Sequence, residues 1–64
     1  MELSREKVNI VLARNRMSVT QLAEAYGVSR ARINVILNSR NITFMCAGRL
    51  AEALKCDVTE ILED

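Results

Sequence analysis

The stretch "SVTQLAEAYGVSRARINVILNSR", residues 18–40, stops one helix and starts another almost at once, and this constrains the fold more than any other feature. Ser18 and Gln21 form an S-x-x-Q capping box, in which the hydroxyl reaches the Gln21 N–H and the amide side chain bonds back. Met17 and Leu22 stand at the positions of a hydrophobic staple around that cap. Leu22, Ala23 and Tyr26 supply an apolar stripe at helical spacing. Gly27 then ends the helix early, because glycine enters the left-handed region at little cost. Ser29 caps a new helix immediately, with Val28 and Ile33 as a second staple. Two short helices joined so tightly meet at a steep angle, as a helix-turn-helix.

The remaining caps divide the chain into further short helices. Ser4 starts a helix in which Val8, Val11 and Leu12 face the core, while Leu3 and Ile10 fall on the opposite side. Thr43 starts another, with Phe44, Ala47, Leu50, Ala51 and Leu54 as its core face; Gly48 in its middle suggests only close packing. "CDVTEIL" carries a D-x-x-E box at Asp57 and Glu60, with Cys56 and Ile61 as a staple and Val58, Ile61 and Leu62 facing inward. The expected helices span about 5–15, 19–26, 30–38, 44–54 and 58–63. A chain of 64 residues, half of them hydrophobic and none of them proline, suits one all-α five-helix domain over 1–64.

The composition narrows the function by what it lacks. No run approaches the roughly 18 apolar residues of a membrane span, and "MELSREKV" has no long apolar segment behind it, so the expected location is the cytoplasm. Cys46 and Cys56 without any histidine exclude the familiar zinc spacings and deny a thiol its usual base, so both are expected to be buried free thiols. Gly27 and Gly48 form no phosphate loop. Neither an enzyme, a cofactor, a metal nor a small-molecule ligand is expected.

Charge is unevenly spread although the net is only +1. Residues 1–40 carry seven basic against three acidic side chains, residues 41–64 two against five, and four arginines but no acid lie between Glu24 and Glu52. About 100° per residue separates the inward side of residues 30–38 (Ile33, Ile36, Leu37) from an outer ridge of Ala31 and Val35. Asn34 and Asn38 flank one side of that ridge, Arg32 the other, and Arg30 projects from the first turn. A helix that is merely solvated mixes Glu with Lys. Here the mixture suits the major groove, where Arg pairs with guanine O6 and N7, Asn with adenine N6 and N7, and small apolar groups with thymine methyls. Arg14, Arg16 and Arg40, near helix ends, can contact the DNA backbone. Val35 at the centre of the ridge also fits a protein-binding or dimer surface.

From Arg14 to Leu62 the chain resembles the Cro/C1-type (xenobiotic-response-element-like) helix-turn-helix family of phage and bacterial transcriptional regulators. The resemblance is carried by "S-x-x-Q-L-A-x-x-x-G-V-S" and the closing "L-A-x-A-L-x-x-x-V-x-x-I-L". It implies a lambda-repressor-like domain that docks its third helix in the major groove, usually as a two-fold homodimer on a near-palindromic operator, and most often represses. Carried over by position, Arg30, Ala31, Arg32 and Val35, with Asn34 beside them, read bases. Ser29, Asn38 and Arg40 hold phosphates, joined by Ser18, Thr20 and Gln21 at the start of the second helix. Val19 replaces the family's usual phosphate-binding Gln, leaving Thr20 or Gln21 to substitute, and Ser39 replaces the usual turn Gly. Leu3, Ile10, Met45 and parts of the last helix are candidate dimer contacts. The alternative reading is a protein-interaction module of the antitoxin or anti-repressor type that keeps the same fold.

Overall fold

Every α-helix begins at a hydroxyl. In the computed structural model, which describes residues 2–39 and 41–63, Ser4 Oγ accepts from the Lys7 N–H (3.2 Å) and Ser18 Oγ from that of Gln21 (3.1 Å). Ser29 Oγ accepts from the Arg32 N–H and Thr43 Oγ1 from that of Cys46, each at 3.1 Å. These caps start α1 (Arg5–Arg14), α2 (Val19–Tyr26), α3 (Arg30–Leu37) and α4 (Phe44–Leu54). Each satisfies an amide that the helix itself cannot, typically worth about 1 kcal/mol. At Ser18 the box is complete, with Gln21 Oε1 accepting from the Ser18 N–H at 2.8 Å.

Gly27 adopts φ +94° and closes α2, its N–H donating to the Ala23 carbonyl at 2.8 Å. The Val28 N–H reaches the same carbonyl at 3.0 Å, and Ser29 begins α3 directly. α2 packs on both α3 and α4. Ser39, itself not left-handed, follows α3: its hydroxyl donates to the Val35 carbonyl at 2.8 Å and its N–H to that of Ile36 at 3.2 Å. A glycine is therefore not needed there.

The described residues hold four α-helices and no strand. The fifth helix expected over 58–63 is instead a 3-10 turn, Val58–Glu60. Its capping box forms, but a segment so short cannot offset the cost of nucleating an α-helix. The chain leaves the turn to pair with its own beginning. Leu3 and Leu62 form an isolated antiparallel bridge, the Ser4 N–H donates to the Ile61 carbonyl (2.8 Å), and the Glu63 N–H donates to that of Glu2 (2.9 Å). Lys7 Nζ donates to the Leu62 carbonyl at 2.9 Å, and Asn15 Nδ2 to that of Leu54.

The core gathers Val8, Val11 and Leu12 of α1, Leu22, Ala23 and Tyr26 of α2, Ile33, Ile36 and Leu37 of α3, and Leu50, Ala51 and Leu54 of α4, closed by Ile61. Several sequence expectations are corrected. Leu3 is not an outward residue of α1 but an extended one, 8% exposed against Leu62, and so leaves the set of candidate dimer contacts. Phe44, expected in the core, is 76% exposed. Helical side chains lean toward the N-terminus, and at the first residue of α4 only a loop lies in that direction. Gly48 is not closely packed, since a Cβ built there meets nothing within 4 Å. Cys46 and Cys56 are free thiols, but they are only partly buried, at the edge of the core.

Candidate nucleic-acid interface

The inward side of α3 is sealed by Ile33, Ile36 and Leu37, which leaves a defined outer face. Arg30, Ala31, Arg32 and Asn38 are exposed on it, Val35 is 56% exposed, and Asn34 is half-buried on the flank. No acidic residue belongs to this helix. At the start of α2, Ser18, Thr20 and Gln21 are exposed, whereas Val19 packs against the core. Arg40 lies outside the described residues.

The fold joins two of these groups directly. Arg30 Nη1 donates to Thr20 Oγ1 at 3.0 Å, linking the first turn of α3 to the first turn of α2. The caps at Ser18 and Ser29 use the hydroxyl oxygens as acceptors, and Gln21 uses its Oε1. A phosphate requires donors, and the capping bonds leave the O–H of each serine and the NH2 of Gln21 unspent. Arg14 Nη1 pairs with Glu60 Oε1 at 2.9 Å across α1 and the last turn, both side chains remaining exposed.

Beside α3 lies a shallow cavity of about 370 Å³, bordered by Arg32 and Ser39 on one side and by Thr43, Met45 and Arg49 of the α4 segment on the other. None of its lining residues is acidic. Arg49 was missed by sequence reasoning. Its Cζ lies 4.3 Å from the centre of the Tyr26 ring and its Nη2 donates to the Tyr26 carbonyl at 3.1 Å, so it also satisfies the end of α2. The available signal was the acid-free span from Glu24 to Glu52, whose fourth arginine is Arg49. Tyr26 donates to Cys46 Sγ at 3.5 Å, and burial followed by that bond pushes its phenol upward, keeping it protonated and uncharged beside the two guanidinium groups.

A family model described as the Cro/C1-type HTH DNA-binding domain matches residues 7–64. The chain belongs to the Cro/C1-type helix-turn-helix family. A Cro/C1-type chain similar to it is the uncharacterised HTH-type transcriptional regulator YozG of Bacillus subtilis (strain 168). The two are 31% identical over 58 residues, which cover 88% of this chain and 69% of the relative. No solved structure matches. As a Cro/C1-type domain the protein is a helical DNA-binding module of transcription regulation. Among the described residues, no helix is long and apolar enough to cross a membrane.

Proposed function

We propose that this protein is a sequence-specific binder of double-stranded DNA that inserts α3 into the major groove and acts as a small cytoplasmic repressor, residues 1–64 forming one domain. The observation that carries the reading is the carboxylate-free outer face of α3, on the second helix of the pair joined at Gly27. In this reading Arg30, Arg32 and Asn34 address base edges and Ala31 and Val35 approach thymine methyls. Ser18, Gln21, Ser29, Asn38 and Arg40 hold phosphates, and Arg49 holds another through the cavity it shares with Arg32. Repression follows from occupying a promoter.

The Cα trace of the described fold is 26 Å in its longest dimension, shorter than one helical turn of DNA at about 34 Å. One copy therefore spans about a half-site, which favours a homodimer on a near-palindromic operator. Selection of bound duplexes from a random pool at two salt concentrations tests this. Enrichment of a palindrome with half-sites about 10 base pairs apart is expected. Salt-sensitive retention without enrichment reduces the protein to a nonspecific basic surface.

A second reading, a protein-interaction module of the antitoxin or anti-repressor type, draws on Phe44 and Met45, which are 76% and 80% exposed side by side. A stable protein complex together with no DNA retention at either salt would select it.

A further inference from the structure

We propose that Thr20 is a positioning residue for Arg30, selecting which edge of the guanidinium is offered to a base; the inference rests on the reading that α3 enters the groove. The sequence suggests a backbone contact for Thr20; its oxygen also accepts from Arg30 Nη1 at 3.0 Å, which leaves its own O–H unspent. Both ends of this bond are held from below. Thr20 follows Val19, which packs on the core, within a helix fixed by a complete capping box. Arg30 is the first residue of α3, placed by the Ser29 cap and the left-handed Gly27. The hydrogen bond therefore ties a long, otherwise mobile side chain to a rigid neighbour.

The chemistry of the partner matters. A carboxylate in place of Thr20 would hold the guanidinium but cancel its charge and compete with the DNA. A hydroxyl oxygen holds it through one of its five N–H donors and leaves the full positive charge. Four donors remain, and a guanine takes two through O6 and N7. With one Nη1 hydrogen spent, the guanidinium is presented in one orientation rather than in many. Pre-organisation of this kind raises discrimination more than general affinity, because any sequence offers phosphates but only one base fits the held fork.

The test compares Thr20→Val, which removes the acceptor at nearly constant shape, with Thr20→Ser, which keeps it. Thr20 is exposed, so neither change touches the core. In base-preference profiles from duplex selection, Thr20→Val is expected to reduce the preference at one position of each half-site by about three- to tenfold. The other positions and the salt dependence stay as in wild type. Thr20→Ser restores the preference to within about twofold, and in an Arg30→Ala background Thr20→Val adds nothing, as coupled sites require. In the free protein, 15N relaxation should show Arg30 Nε–H restrained in wild type and freed by Thr20→Val. Equal weakening on all sequences with unchanged preferences would make Thr20 a backbone contact and overturn the proposal, as would additive effects with Arg30→Ala. If wild type enriches no sequence, the groove reading fails and the positioning role falls with it. The relaxation measurement then separately reports whether the Thr20–Arg30 pair exists.

Discussion

Gly48 lies in the interior of α4, exposed, with open space where a Cβ would sit. Glycine there costs the helix backbone entropy without a steric return. Gly48→Ala is expected to stabilise the protein by about 0.5–1 kcal/mol, read as a raised urea midpoint at constant slope. Lys55 presents the opposite case. It closes α4 at φ +56°, where a side chain is strained, and Lys55→Gly should gain about 1 kcal/mol in the same assay. In the proposed DNA-binding reading, Arg30→Ala affects binding rather than folding. Loss of a bidentate arginine is expected to cost about 1–3 kcal/mol of discrimination at one base while leaving thermal unfolding unchanged. A profile identical to wild type would remove Arg30 from the reading face.

The last turn packs on the core through Ile61, but its polar contacts, internal and to Arg14 of α1, respond to acid. Asp57 is held below the usual carboxylate range by the Thr59 N–H and then its O–H, and Glu60 by the Arg14 guanidinium and then the Asp57 N–H. Depressed carboxyls stabilise the fold fully above their unfolded values, near about 4, and lose that contribution as pH falls through the lower folded values. The melting temperature should therefore drop below about pH 4, and Glu60→Gln should be less stable than wild type at pH 7. The difference between the two should shrink as the pH falls, and a constant gap down to pH 2 would show that the ion pair contributes nothing. Such elements also show what the chain alone could reveal. The caps at Ser4, Ser18, Ser29, Thr43 and Asp57 were legible because each bond closes within three residues. Leu3 escapes the periodicity of α1 because it lies outside that helix and pairs with Leu62, a partner distant in sequence. The outer face of α3 followed from spacing, whereas the Thr20–Arg30 and Tyr26–Arg49 contacts depend on how helices cross.

For the molecule as a whole, DNA binding of the proposed kind should follow counterion release. Affinity should fall linearly on logarithmic axes with salt, and neutralising Arg49 with Gln should lower the slope by about one if it holds a phosphate. An unchanged slope would leave Arg49 only its bond to the end of α2 and its stacking on Tyr26. Ile61, fully buried, seals the core from the last turn. Ile61→Ala is expected to cost about 2–5 kcal/mol, much of the stability available to a domain of this size, and circular dichroism at 37 °C should register partial unfolding. The backbone hydrogen bonds from the Ser4 N–H to the Ile61 carbonyl and from the Glu63 N–H to that of Glu2 bring the two extremities of the described chain side by side. Over residues 2–63 the backbone thus starts and finishes at neighbouring points. A circular permutant of residues 2–63, linked from residue 63 to residue 2 by a few glycines and reopened in the turn between α1 and α2, should recover the same fold, with α3 moved to a new place in the order of synthesis.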